Sequence, residues 1–376
     1  MGICNDHAIV LSGGGARGAY QAGALRAVFE ICKSQGDYSL FRNLVGVSAG
    51  AINATYLATE AGNLDKATEN LCQMWRTLTS EDVFKTDYFT VGKQAVKMFR
   101  SVSLGGVSGR LRPTRSGLMN VEPLRDILQE YIHFDRIESN IRSGALHSLA
   151  VTALDYSTAL GVTFFMGDPK LKEWRRVQRI GVRSQIGVDH VMASAAIPIF
   201  FPPWKIGDRY YGDGTLRNTA PLAPARRVGA QKILVIGVRK VREQRLTEDN
   251  IINPTLGRVL SVVINAIFMD AIEIDIERVR IINENMSLTS AGKFRPLSIL
   301  HISPSQMLSE LAETRMEGLP PLLRFLLSGL GSPKETSEIL SYLAFDPVYL
   351  SSLVDLGYRD VLAQKENLLL FMQDQG

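Results

Sequence analysis

Leu44-Val45-Gly46-Val47-Ser48-Ala49-Gly50-Ala51-Ile52-Asn53-Ala54 is the stretch whose reading decides the fold of this 376-residue chain. Leu44-Val45 reads as a buried strand, and Ala51-Ile52-Asn53-Ala54 as a first helical turn. Between them a serine has a glycine two places away on either side. A strand that reverses sharply into a helix leaves no room for side chains at those two places. It also lifts the serine hydroxyl above the sheet, at the positive end of the helix. Gly-x-Ser-x-Gly is common by chance. Its strand-to-helix context makes Ser48 a candidate nucleophile, with Gly46 and Gly50 supporting the turn.

Upstream, Ala8-Ile9-Val10-Leu11 reads as an all-apolar strand of the kind found inside parallel sheets. The run Ser12-Gly13-Gly14-Gly15-Ala16-Arg17-Gly18 and a helix over 19–34 follow it. With a second strand ending at 45–47 and a helix over 49–60, this is the opening of an open parallel sheet. Downstream, the pattern predicts helices over 64–78, 123–131 and 188–196, the last stopped at Ile197-Pro198. Strands are predicted at 149–154 and 162–165, an extended crossing at 200–203, a strand end with a tight turn at 209–215, and a last clear core strand at 233–238. Beyond Arg239 the chain reads as mostly helical, with one long apolar helix over 256–282, a leucine-rich stretch over 319–330 and helices over 336–345 and 358–373. The expected fold is α/β, a three-layer α/β/α arrangement with a central, mostly parallel sheet over residues 6–240. Residues 241–376 form a helical cap or extension packed on it.

A hydrophobic content of 45% suits a sizeable core, and a net charge of +4 is too mild for a dedicated nucleic-acid binder. Cys4, Cys32 and Cys72 form no CxxC pair or Cys/His cluster, so neither a disulfide framework nor a metal site is expected. No cleaved-signal pattern and no apolar run of membrane-spanning length is seen, and a cytoplasmic or membrane-peripheral location is the expectation. Residues 93–115 carry Lys93, Lys97, Arg100, Arg110, Arg112 and Arg115 with no acidic residue. They suit either anionic headgroups or a solvated loop. The apolar stretch 256–282 suits a lid over an acyl cleft, a core helix or a dimer interface.

The triple glycine admits more than one reading. Gly13-x-Gly15-x-x-Gly18 has the spacing of a dinucleotide loop, but the second strand ends in Ser48 where an acidic ribose ligand should stand. As an oxyanion hole, the N–H groups of Gly13, Gly14 and Gly15, with that of Ala49, would converge on one point beside a helix terminus. A purely structural turn is the third reading. The serine needs a base. His301 has the right chain order for a Ser…Asp…His triad, but its apolar neighbours suit a structural histidine better. Asp213, between Gly212 and Gly214, is the better candidate, although an isolated Asp-Gly more often marks a hairpin turn. Desolvation would raise its basicity enough to accept a serine proton.

Gly13-Gly14-Gly15-Ala16-Arg17-Gly18, Gly46-Val47-Ser48-Ala49-Gly50 and Asp213-Gly214, in this order, resemble the patatin-like phospholipases, the bacterial type included. So do Val151-Thr152-Ala153-Leu154-Asp155 and Ala193-Ser194-Ala195-Ala196-Ile197-Pro198 with Phe201-Pro202. The resemblance implies a Ser48–Asp213 dyad without histidine, an oxyanion hole in the glycine loop, and no metal or cofactor. Where that family often has Asp-Gly-Gly, Thr215 takes the last place. Arg17 and Gly18 are expected to steady the loop, Arg17 through backbone carbonyls or, alternatively, as charge towards a phosphate. The implied function is lipid acyl hydrolysis of the phospholipase A type, with phospholipid or another acyl ester as substrate and peripheral membrane contact allowed. A short-chain esterase, thioesterase or acyltransferase on the same dyad is the alternative, as is a non-catalytic lipid-binding protein.

Overall fold

The strand β1 (His7–Leu11) occupies the middle of a ten-stranded sheet and is buried along its whole length. A computed structural model describes residues 7–36, 40–85, 119–218, 220–241, 255–268, 270–287, 296–313, 315, 319, 321–329 and 331–373. The basic segment 93–115 lies outside them.

In chain order the further strands are β2 (Asn43–Val47), β3 (Ser148–Asp155), β4 (Leu160–Gly167), β5 (Trp174–Arg176), β6 (Arg179–Arg183), β7 (Trp204–Ile206), β8 (Arg209–Asp213), β9 (Lys232–Ile236) and β10 (Ser298–Ile302). The sheet runs β10-β9-β1-β2-β3-β4-β6-β5, and β10 through β3 are all parallel. Side chains alternate between its two faces. Ile9, Leu11 and Leu44 enter one apolar core, while Ala8, Val10 and Val45 enter another. A sheet buried on both faces must be covered twice, and the three-layer α/β/α arrangement is the result.

On the first face lie α1 (Gly18–Ser34), α2 (Ala49–Thr59) and α3 (Leu64–Thr77). The next helices are α4 (Ser80–Val83), α5 (Glu122–Tyr131), α6 (Arg136–Ser143), α7 (Val188–Ser194) and α8 (Ala223–Arg227). Then come α9 (Leu256–Phe268), α10 (Asp270–Ser287), α11 (Leu308–Glu313), α12 (Pro321–Ser328), α13 (Pro333–Leu343), α14 (Pro347–Ala363) and α15 (Lys365–Gln373). The second face is covered by α8 and α10, through Ala225, Ile272 and Ile276. Helix α14 packs along α1 on the first face.

The apolar stretch 256–282 is helical on both sides of residue 269, in α9 and α10. Two other local expectations change. The C-terminal region, expected to be helical, also supplies β10, whose residues pair with β9 in register from Ser298↔Lys232 to Ile302↔Ile236. This strand borders the sheet and is mostly half-buried, so the continuous apolar signal of a central strand is missing. Of the extended crossing expected over 200–203, Phe200 falls in a turn over 198–200, with Ile199 at a φ of 73°, and Phe201 in a bend. Among the described residues no single helix is long and apolar enough to cross a bilayer. Helices 334–343 and 347–363 would reach that length only together, and they meet at 85°.

Candidate active site

The site is assembled by the way β3 shares one of its edges. Its first residues pair with β2, up to Val47↔Thr152. Where β2 ends, β8 takes over antiparallel, with Asp213 opposite Ala153. The last residue of β8 is thereby set directly beyond the last residue of β2. The elbow and the Asp-Gly turn, 165 residues apart in sequence, meet because both flank Thr152-Ala153.

Ser48 sits at a φ of 56° and a ψ of −127°, a conformation costly for any residue with a side chain. It persists because the surroundings leave no alternative. A Cβ on Gly46 would stand 2.2 Å from the carbonyl oxygen of Gly50, and one on Gly50 would stand 2.3 Å from that of Leu11. The Ser48 N–H donates to Ser194 Oγ at 2.9 Å, and Ser194 Oγ donates to the Thr152 carbonyl at 2.6 Å. Ser194, in the sequence one residue of the Ala193–Pro198 run with no role of its own assigned, thus ties the elbow to β3. Ser48 also caps α2, whose dipole places positive potential at the hydroxyl.

Asp213 is fully buried. Its Oδ1 accepts from Thr215 N at 2.8 Å and from Thr215 Oγ1 at 2.6 Å. Its Oδ2 has no hydrogen-bond partner. Burial pushes the carboxyl up to about 6, against the lowering influence of Ser48 and Thr215. Ser48 is therefore close enough to favour the carboxylate although no hydrogen bond of good geometry yet joins the two. Such catalytic bonds often tighten only when substrate is bound. Thr215, in the sequence a mere departure from Asp-Gly-Gly, supplies both donors that hold the carboxylate.

The glycine loop closes the other side. A side chain at Gly13 would meet Thr215 Oγ1 at 2.5 Å and Ser48 Cβ at 3.0 Å. The N–H groups of Gly14, Gly15 and Ala49 donate to no acceptor within the chain among the described residues. Beneath the loop runs a buried polar chain that no motif announced. Trp75 Nε1 donates to Asn53 Oδ1 at 2.7 Å, and Asn53 Nδ2 to Gln21 Oε1 and the Gly18 carbonyl, both at 3.0 Å. Gln21 Nε2 then reaches the carbonyls of Ser12 and Ile236 at 2.9 and 3.1 Å.

Arg17 departs from expectation. Its guanidinium takes no loop carbonyl. Nε donates to Ser341 Oγ at 2.9 Å, Nη2 pairs with Glu338 Oε2 at 2.5 Å, and the group lies 4.6 Å from the centre of the Tyr342 ring. All three partners are on α13, and Gly15 abuts the Tyr342 carbonyl so closely that a Cβ would stand 2.3 Å from the oxygen. The loop is steadied from the C-terminal region, through side chains. His301 is on β10, three strand spacings from β2 or about 14 Å, out of reach of Ser48. Burial lowers its pKa to about 4, with Arg280 adding to the effect, so it is a neutral residue on a half-buried border strand.

An apolar cavity opens on Ser48. Its walls include Ile52, Trp75, Leu78, Leu124, Ile197 and Phe201, drawn from α2, α3, α5 and the loop after α7. At about 40 Å³ it has room for only the first carbons beyond a carbonyl held at the serine.

A family model described as patatin-like phospholipase matches residues 9–226. Comparison with curated proteins gives no match. Among solved structures, the chain is similar to VipD from Legionella pneumophila, at 13% identity and a TM-score of 0.33 over 94% of this chain and 67% of that one. It is also similar to human GIVD cytosolic phospholipase A2 in complex with methyl γ-linolenyl fluorophosphonate, at 12% identity and a TM-score of 0.42 over 98% of this chain and 59% of that one. A third is the ExoU–SpcU complex from the type III secretion system of Pseudomonas aeruginosa, at 13% identity and a TM-score of 0.26 over 96% of this chain and 59% of that one.

Proposed function

Because the chain belongs to the patatin-like phospholipase family, we propose that it hydrolyses acyl esters of lipids at Ser48, with Asp213 as general base. Residues 6–240 carry the chemistry in this reading, and the described part of 241–376 adds β10 to their sheet and packs helices on it. The observation that carries it is the buried Asp213 carboxylate, which presents an oxygen without a hydrogen-bond partner beside the elbow serine. An ordinary carboxylate is too weak a base for a hydroxyl, and desolvation raises this one towards neutrality.

In the first half-reaction Ser48 Oγ attacks the acyl carbonyl as its proton passes to Asp213 Oδ2. The oxyanion is held by the N–H groups of Gly14, Gly15 and Ala49, aided by the dipole of α2. Collapse breaks the ester C–O bond, and protonated Asp213 returns its proton to the departing alkoxide. In the second half-reaction Asp213 takes a proton from water, hydroxide adds to the acyl-enzyme, and the serine is regenerated as the fatty acid leaves. The apolar lining beside Ser48 receives the first carbons of the acyl chain.

Ser48→Ala and Asp213→Asn, assayed on p-nitrophenyl esters of increasing length and on phospholipid, test this directly. The expectation is a loss of about a thousandfold or more in both, with fluorophosphonate labelling abolished in Ser48→Ala. Near wild-type turnover in either variant rejects the dyad. A fall in kcat/KM with growing chain length would instead favour a short-chain esterase.

A further inference from the structure

The edge of the sheet that bears Ser48 carries a second feature. Gly161 pairs with Leu154 on one side and with Arg179 on the other, and Arg176 of β5 pairs back against Arg179. The Val177-Gln178 turn therefore emerges at the level of the elbow, three strand spacings or about 14 Å along the same edge. Val177 is 87% exposed at its tip.

Around that tip stand Arg175, Arg176 and Arg179, with Arg226 and Arg227 of α8 nearby. Arg175, Arg176, Arg226 and Arg227 have no carboxylate within ion-pair distance among the described residues, and the buried Nη1 of Arg179 has no hydrogen-bond partner. Their crowding registers on Arg227, whose pKa is lowered by desolvation and then by Arg176, Arg226 and Arg179. Asp275 faces Arg179, but among the described residues no carboxylate pairs with the other four, and like charges held together are unfavourable in isolation and become favourable against an anionic surface.

The rim continues towards α9. The carbonyl of Gln178 accepts from Gly161 N at 2.9 Å, Arg217 Nε donates to the Ala159 carbonyl at 3.1 Å, and the turn Gly214–Arg217 packs against α9. On α9, Val259, Val262 and Val263 recur at helical spacing and are all exposed.

We propose that this rim, formed by the Val177 turn with its arginines and the exposed valines of α9, docks the protein onto an anionic lipid bilayer. Exposed valines provide the shallow apolar contact, and the arginines supply the preference for negative headgroups. The choice of a bilayer over a second protein rests on the acyl-hydrolase reading, since docking here would bring the substrate's own phase to the edge where Ser48 stands.

The test uses the full chain carrying Ser48→Ala, so that no lipid is consumed, in co-sedimentation with vesicles of phosphatidylcholine alone or doped with phosphatidylserine. Binding is expected to be at least about tenfold tighter to the anionic vesicles and to weaken as salt rises. Arg176→Glu with Val177→Asp should remove most of that gain, and Val262→Asp should weaken binding independently. The same substitutions with Ser48 intact should leave turnover of a soluble short-chain ester unchanged, which confirms that they fold. Equal binding to both vesicle types, or undiminished binding by the variants, overturns the proposal. So does a dimer that Val262→Asp dissociates while vesicle binding stays the same. Absence of ester turnover in the unsubstituted chain would reject the hydrolase reading and leave the vesicle result standing on its own.

Discussion

The serine elbow and the Arg17 clamp hold the same glycine loop from opposite sides, but by different means. At the elbow the contacts are backbone against backbone, Gly46 on Gly50 and Gly50 on Leu11, within 40 residues of chain. At the clamp a buried guanidinium meets Glu338 and Ser341, more than 320 residues away. The elbow tolerates no change because a Cβ has nowhere to go. The clamp depends on a charge being matched out of water, where breaking one partner costs more than the pair itself contributes. The candidate nucleophile is thus written in a short motif, while distant helices brace the glycine loop beside it.

Substitutions can break the comparison. The largest effect is expected at the elbow. Gly50→Ala forces a methyl group into the Leu11 carbonyl and should abolish ester turnover, with a loss of about 3 kcal/mol or more in chemical denaturation. Arg17→Leu removes the buried guanidinium from half-buried Glu338 and from Ser341 and should cost about 2 kcal/mol. If the clamp positions the loop, Arg17→Lys should recover stability better than kcat, because a single ammonium cannot reproduce both contacts. Equal recovery of the two would reduce the clamp to a stability device.

Asp213 sharpens the contrast between function and stability. Its folded pKa of about 6 lies above the ordinary 3.8, so the folded state binds more protons over that window and stability falls as pH rises through it. Asp213→Asn should therefore be more stable than the parent above pH ~6, by at most about 3 kcal/mol, with the advantage vanishing below pH ~4. Thermal unfolding across pH reads this. In the parent, kcat/KM on a soluble ester should rise between about pH 5 and 7 and then level, as the base becomes ionised. The smallest effect belongs to Thr215→Val. Removing one donor to Oδ1 should move that rise upward by about one pH unit, with a modest fall in the plateau.

Much of the site is legible in the residues alone. Gly13–Gly15, Ser48 and Asp213 are short-range signatures whose backbone demands show in the residue types themselves, and the parallel sheet follows from all-apolar strands alternating with helices. Ser194, Thr215 and the Trp75-Asn53-Gln21 chain are not legible as functional. A serine, threonine or asparagine acquires such a role only from the partner that folding places beside it. Strand β10 escapes a sequence reading because a border strand lacks a continuous apolar run. Arg17 points, on sequence, to the nearest carbonyls because its true partners are remote in the chain.

What the sequence determined by itself was the chemistry that local backbone geometry encodes: a turn that admits only glycine, a serine raised at its apex, and an aspartate at a strand end. Tertiary structure alone decided which groups meet. The handover of the β3 edge from β2 to β8 puts Asp213 beside Ser48, and α13 reaches back to seize Arg17. Both depend on strand register and helix packing between residues far apart in the chain, and no local pattern records those.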